Sequence, residues 1–156
     1  MKARIQITRS HIAFILLSVL TVFWISFIFG NSTLNREEST AQSDVVVEYI
    51  SPIVDPHDQM SDGQITRMVR KGAHALEFFV LGLCVAATAI TAGLRKWKYA
   101  PAVAGVCLAV AAADEWIQSF SDRAPQFSDA MIDLAGASVG VALVYLIASR
   151  RKRERT

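Results

Sequence analysis

Four apolar runs of about twenty residues restrict the fold of this chain more than any other feature. They cover residues 11–30, 72–92, 99–120 and 128–149, and acids interrupt the last three near one end. The hydrocarbon core of a bilayer is roughly 30 Å thick and takes about 20 helical residues to cross. With 156 residues, 53% of them hydrophobic, and a mean hydropathy of +0.35, the chain is too apolar for a soluble, disordered or fibrous protein. The sequence predicts an all-α integral membrane four-helix bundle.

The first run could be a membrane anchor or a cleaved signal peptide. Lys2, Arg4 and Arg9 precede it like the basic region of a signal peptide. The run is longer than a typical signal-peptide core, however, and no convincing small-x-small cleavage site follows Gly30. We therefore expect a retained anchor. The predicted organisation is a basic cytoplasmic N-terminus (1–10), a first transmembrane helix (11–30), an acidic extracytoplasmic loop (31–70), a three-helix membrane core (71–149) and a basic cytoplasmic tail (150–156).

Basic residues near the apolar runs predict the orientation of the chain. They form three clusters, which are Lys2, Arg4 and Arg9; Arg95, Lys96 and Lys98; and Arg150, Arg151, Lys152, Arg153 and Arg155. Four spans put these clusters on one side, so we expect both termini in the cytoplasm. The 31–70 loop then lies outside, and its residues 31–66 contain seven acids against one arginine. Arg67, Arg70 and Lys71 lie at the outer mouth of the second run, against the rule, which indicates that they have local partners.

The ionisable residues inside the last three runs lie toward the outer end and share helix faces. Spacings of three and four residues put side chains on one face of a helix. The sets are Lys71, His74 and Glu77 on the second run; Asp114, Glu115 and Gln118 on the third; and Asp129, Asp133, Gly136 and Gly140 on the fourth. A charge near the bilayer centre costs about 2.5–3.5 kcal/mol, so such side chains usually face the bundle interior. The sequence therefore predicts one shared, hydrated polar site in the outer third of the membrane.

Gly136 and Gly140 continue the face that carries the two acids of the fourth run. A Gly-x-x-x-Gly seam allows close approach of helix backbones, so we expect tight packing against a neighbouring helix. The same face is a candidate for self-association into a homo-oligomer.

The polar site has a structural interpretation and a functional one, and the two can coexist. In the structural one the acids neutralise the nearby basic residues in a salt-bridge network that holds three helices in register; its members are Glu77, Asp114, Glu115, Asp129, Asp133, Arg70, Lys71 and Arg123. His74 is compatible with a hydrogen-bonded packing residue, a general base or a metal ligand. Because His-x-x-Glu spacing alone specifies little, we expect no metal and no cofactor.

Three separated motifs resemble the VanZ-like family of small bacterial membrane proteins. They are Arg70-Lys71-x-x-His74-x-x-Glu77-Phe78, Asp114-Glu115-x-x-Gln118-x-Phe120-x-x-Arg123 and Asp129-x-x-x-Asp133-x-x-Gly136-x-x-x-Gly140. The resemblance covers roughly residues 67–145, with the same order and similar spacing. Asp133 departs from the family pattern, which more often has Asn there.

The resemblance implies a multi-pass protein of the bacterial cytoplasmic membrane, with a namesake linked to teicoplanin resistance. We favour a non-enzymatic role in which the site recognises a phospholipid headgroup or lipid-linked cell-wall precursor, or alters access of a lipoglycopeptide. Arg70, Lys71 and Arg123 would contact phosphate or carboxylate. Glu77, Asp114, Glu115 and Gln118 would position them and accept hydrogen bonds. The alternative is an intramembrane enzyme with His74 or Glu115 as general base. The expected partners are the lipid bilayer, such a ligand and, as a candidate, a second copy of the chain; nucleic acid is not expected.

Overall fold

The computed structural model describes residues 9–57, 59–120 and 127–153, and this part of the chain is helical without strands. Five α-helices follow one another along the chain. They are α1 (Arg9–Ser32), α2 (Arg36–Val54), α3 (Asp62–Thr91), α4 (Ala100–Gln118) and α5 (Phe127–Arg153), and a short 3₁₀ turn at Trp97–Tyr99 leads into α4.

Four of these helices are long and apolar enough to cross a membrane. The spans are Ser10–Ser32, Asp62–Thr91, Trp97–Gln118 and Ser128–Arg150. Their outer surfaces are apolar, and side chains such as Leu16 and Val22 are each 64% exposed. Exposure of this apolar surface to water would be unfavourable, whereas lipid tails are apolar themselves and can cover it. The predicted all-α four-helix membrane bundle is confirmed.

The segment 31–70 is more regular than the predicted loop. It contains α2, and α3 begins at Asp62, ten residues before the predicted second run. A capping box starts α2, in which Asn35 accepts a hydrogen bond from the Glu38 backbone N–H (2.9 Å) and Glu38 accepts one from the Asn35 N–H (3.1 Å). This Asn-x-x-Glu signal lies in a strongly polar stretch whose composition alone is typical of a loop.

Helices α3 and α5 pack so closely that their backbones are in contact where the glycines lie. A Cβ atom added to Gly136 would lie 2.3 Å from the carbonyl oxygen of Ala75, and one added to Gly140 would lie 2.3 Å from that of Phe79. Gly82 provides the matching approach from α3. The glycine seam is therefore occupied by α3 inside the chain, and self-association of the chain stays a prediction.

Helix α1 packs antiparallel to α3 and contributes to the interior. The Trp24 indole N–H donates to the Glu77 carbonyl oxygen at 2.8 Å, and the hydroxyl oxygens of Thr21 and Thr88 lie 3.2 Å apart. We call the end of the bundle where α1 ends and α3 begins the acidic end. At the opposite, basic end, the Tyr145 hydroxyl donates to the Leu94 carbonyl oxygen at 2.8 Å.

Candidate functional site at the acidic end of the bundle

Three helices bring one side chain each to a common point at the acidic end. His74 comes from α3, Asp114 from α4 and Asp133 from α5, and one nitrogen or carboxylate oxygen of each lies within 4.8 Å of the others. We call these three residues the buried cluster. Both aspartates are completely buried, and the His74 side chain is 19% exposed. Helical spacing put each residue on an inward face, and the glycine seam draws α5 close enough to α3 for them to meet.

Asp114 is held from two helices. The Ser32 hydroxyl at the end of α1 donates to one carboxylate oxygen, and the Gln118 side-chain amide donates to the other at 2.6 Å. Asp114 is therefore fixed in position by side chains of α1 and α4.

The surroundings of Asp133 differ from those of Asp114. Neither of its carboxylate oxygens has a hydrogen-bond partner among the residues that the structure describes, although the side chain is 0% exposed. The carboxylates of Asp114, Glu115, Asp129 and Glu77 all act on it electrostatically. A buried carboxylate normally requires hydrogen bonds, a counter-charge or a metal ion.

His74 and Glu77 lie one turn apart on α3, beside the buried cluster. Nδ1 of His74 is 3.8 Å from Oε2 of Glu77, and the other carboxylate oxygen of Glu77 accepts a 2.8 Å hydrogen bond from the side-chain amide of Asn31. Asn31 thus positions Glu77, and Glu77 faces the imidazole ring.

A cavity of about 210 Å³ lies between α2 and α3, next to the buried cluster. Its wall combines one cation, one carboxylate, several other polar groups and two valines; the lining residues are Asn31, Ser39, Gln42, Ser43, Val46, Val69, Arg70, Ala73, His74 and Glu77. His74 and Glu77 therefore border both the cavity and the cluster.

Lys71 and Asp129 form an ion pair at the rim of the site. Their side-chain nitrogen and oxygen are 3.1 Å apart, and the two side chains are 41% and 29% exposed. The pair joins α3 to α5 above the buried cluster. Because this ion pair is partly exposed to solvent, it contributes only modestly to the stability of the bundle.

The structure brings most of the residues predicted from sequence to one end of the bundle, but with different roles. His74, Asp114 and Asp133 meet directly, whereas Arg70 lines the adjacent cavity and Lys71 contacts Asp129. Glu115 is half-buried on α4. Arg123 lies outside the described residues. The structure therefore divides the predicted site into a buried carboxylate cluster and a more open cavity.

Asn31 and Ser32 are site residues that the sequence analysis missed. Both lie at the end of α1, where they bind Glu77 and Asp114. Their only signal in the sequence is that two hydrogen-bonding side chains follow a long apolar run, at the depth at which the other polar stripes begin.

Comparison with known proteins gives one positive result. No curated protein and no solved structure matches the chain significantly. A family model for VanZ/LLP1 matches residues 17–148, which includes α1 and all of the site described above. The chain is therefore a multi-pass membrane protein that belongs to the VanZ/LLP1 family.

Proposed function

We propose that this protein binds the anionic headgroup of an envelope lipid or lipid-linked cell-wall precursor in the cavity between α2 and α3. The observation that carries the proposal is the position of Arg70, a cation in the wall of a 210 Å³ cavity at the acidic end of the bundle. A guanidinium group can bind phosphate or carboxylate oxygens through two parallel hydrogen bonds.

The neutral polar groups of the cavity fit the same class of ligand. Asn31, Gln42, Ser39 and Ser43 offer amide and hydroxyl groups that suit phosphate oxygens or sugar hydroxyls. Val46 and Val69 provide an apolar part of the wall on which the start of a lipid chain can lie. The cavity thus offers polar and apolar groups that are complementary to a lipid headgroup and the start of its chain.

The proposed location is the bacterial cytoplasmic membrane, with the acidic end outside and both termini in the cytoplasm. Arg95, Lys96 and Lys98 are exposed at the basic end, and Arg150 follows at the end of α5. Cytoplasmic loops carry an excess of basic residues, which supports this orientation. The cavity would then open toward the outer leaflet.

Lipid binding by two arginine variants tests the proposal. Purified protein would be titrated in detergent with phosphatidylglycerol, undecaprenyl phosphate and the zwitterionic phosphatidylcholine, and complexes would be counted by native mass spectrometry. We expect Arg70→Gln to lose most binding of the two anionic lipids. Arg67→Gln is the matched control, because Arg67 lies one turn away on α3, is exposed and does not line the cavity. Equal binding by Arg70→Gln and the wild type would refute the proposal.

An intramembrane enzyme acting on the same ligand is the second candidate. It is favoured by one observation, namely that His74 and Glu77 border the cavity and face each other at 3.8 Å. A histidine oriented by a carboxylate can act as a general base. Conversion of undecaprenyl phosphate or phosphatidylglycerol that is abolished by His74→Gln would support the enzyme; binding without conversion would support recognition alone.

A further inference from the structure

The buried cluster contains three donor groups that a metal ion uses. The imidazole of His74 and the carboxylates of Asp114 and Asp133 approach from three different helices, and one donor atom of each lies within 4.8 Å of the other two. Each donor comes from a long helix packed in the bundle, which makes the arrangement more rigid than one carried by loops.

Asp133 supplies an independent indication of a ligand. It is 0% exposed, its two oxygens have no hydrogen-bond partner in the described part of the chain, and it points into the group formed with His74 and Asp114. A buried, ionised carboxylate without a partner is costly. A cation between the three side chains would supply the missing contacts to Asp133.

The balance of charge at this end supports the same conclusion. Two aspartates in direct proximity carry up to two negative charges, and Glu77, Glu115 and Asp129 add to the field at Asp133. Lys71 is engaged by Asp129 at 3.1 Å. A divalent cation between the three donors would therefore be attracted by Asp133 and by the acids around it.

We propose that His74, Asp114 and Asp133 bind one divalent transition-metal ion of the Zn²⁺ or Mn²⁺ type. One imidazole nitrogen and two carboxylate oxygens suit these ions, whereas Mg²⁺ and Ca²⁺ favour sites made of oxygen alone. This departs from the expectation of no metal from the sequence, and it does not depend on the headgroup proposed above.

The neighbouring side chains are arranged as supports for such a site. Ser32 and Gln118 hold the Asp114 carboxylate, and Glu77 faces the His74 ring while Asn31 holds Glu77. Metal-binding histidines and carboxylates are usually oriented by hydrogen-bonding partners of this kind. Because bonds from Zn²⁺ to its ligands are about 2.0–2.2 Å long, the three donors must draw together on binding.

Metal binding by the purified full chain tests the proposal directly. Protein with a non-histidine affinity tag would be stripped with a chelator and titrated with ZnCl₂ by isothermal calorimetry, with bound zinc counted by elemental analysis after gel filtration. We expect about one tightly bound Zn²⁺ per chain. Co²⁺ should give the visible absorption of a low-symmetry site with nitrogen and oxygen ligands. Less than a tenth of an equivalent of zinc in the wild type would overturn the proposal.

Single substitutions assign the site to these residues. Loss of a residue that only orients a metal ligand typically weakens metal binding 10–100-fold. Asp133 and His74 are proposed as direct ligands, so Asp133→Asn and His74→Gln should each weaken Zn²⁺ binding by more than about 100-fold. Gln118→Ala should fall within that smaller range. Asp62→Asn is the control, because Asp62 is an exposed acid at the start of α3, about three turns before His74, and is not part of the buried cluster. It should bind Zn²⁺ like the wild type, and a loss equal to that of Asp133→Asn would contradict the assignment.

Circular dichroism and gel filtration would show whether each variant folds. If Asp133→Asn does not fold, the Co²⁺ spectrum of the wild type decides the question without it. A Co²⁺ spectrum identical to that of the ion in buffer would overturn the proposal, and a protein-bound spectrum that ZnCl₂ abolishes would support it.

Discussion

Ser32 at the end of α1 donates a hydrogen bond to the buried carboxylate of Asp114 on α4, across 82 positions of sequence. Asp114 in turn belongs to the buried cluster with His74 and Asp133. Helix α1, which the sequence predicts to be a membrane anchor, therefore also contributes a side chain to the polar site. The bond also fixes the depth at which α1 lies against α4.

Removal of the Ser32 hydroxyl should destabilise the bundle. Ser32→Ala removes one hydrogen-bond donor from a completely buried carboxylate, which costs about 1–3 kcal/mol. Thermal unfolding in detergent, followed by circular dichroism, measures the effect. Ser26→Ala is the control, because the exposed Ser26 hydroxyl bonds only within α1, to Val22 at 3.0 Å. Equal melting temperatures for the two variants would show that the Ser32 bond contributes nothing.

Gly136 should not tolerate a side chain. Its Cβ in Gly136→Ala would lie 2.3 Å from the Ala75 carbonyl oxygen, so α3 and α5 would have to separate. Forced separation of this kind typically costs about 1–3 kcal/mol. It should also loosen the buried cluster, since α5 carries Asp133. The measurement is the free energy of unfolding in mixed micelles.

Gly105→Ala is the matched control for Gly136→Ala. No atom lies within 4 Å of the added Cβ at Gly105 on α4. Replacing glycine by alanine in an open helix position favours the helix by roughly 0.5–1 kcal/mol. A stabilised Gly105→Ala beside a destabilised Gly136→Ala separates packing from helix propensity; a neutral Gly136→Ala would contradict the backbone contact.

The helix periodicity of the sequence predicted the polar face of each spanning helix but not which faces meet. Charged residues in an apolar run must turn inward, so the sets on α3, α4 and α5 follow from physical chemistry. Which donor of one helix contacts which donor of another depends on the relative depth of the helices. That depth is set by contacts such as Trp24 to the Glu77 carbonyl, which no spacing in the sequence encodes.

The polar composition of α2 did not indicate a helix, so the sequence analysis assigned this segment to a loop. Its capping residues Asn35 and Glu38 are visible in the sequence, but a helix rich in Ser, Thr and Glu has no long apolar stripe. Its packing against α3 creates the cavity that Arg70 lines, so the cavity was not predictable. The sequence placed Arg70 near acids instead, because charge pairing is the simplest expectation for a basic residue on the unexpected side.

The turn between α2 and α3 should weaken in acid. The backbone N–H groups of Gln59 (2.9 Å) and Met60 (2.5 Å) donate to the Asp55 carboxylate and lower its pKa below the usual value. A lowered pKa in the folded state stabilises the turn at neutral pH, and this contribution is lost as pH falls below about 4 and through the folded-state pKa. Hydrogen exchange at the Gln59 and Met60 amides measures the loss.

Asp55→Asn should reduce protection of these two amides already at pH 7, because a neutral amide oxygen is a weaker acceptor than a carboxylate. Asp44→Asn, at an exposed position within α2, is the control and should leave them unchanged. Protection that is the same at pH 3 and pH 7 in the wild type would show that the carboxylate does not hold the turn.

Labelling of single cysteines should report the proposed orientation. Cys84 and Cys107 are buried and free, so each can be replaced by alanine without breaking a disulfide. In that background Gln42→Cys on α2 should react with a membrane-impermeant maleimide in intact cells, whereas Lys96→Cys at the basic end should react only after permeabilisation. Both positions are exposed, which makes them a matched pair. The reverse pattern would place the acidic end in the cytoplasm.

Teicoplanin susceptibility tests whether headgroup binding has the consequence that the family's namesake implies. If the cavity binds a lipid-linked precursor, it can change how much of that precursor a lipoglycopeptide reaches. A sensitive bacterium expressing the wild-type chain should then tolerate more teicoplanin than one expressing Arg70→Gln, at membrane levels matched by immunoblot. Arg67→Gln should protect like the wild type, because Arg67 lies outside the cavity lining. Protection retained by Arg70→Gln would separate resistance from the cavity. Lipid binding without protection in the wild type would show that headgroup recognition serves an envelope function other than resistance.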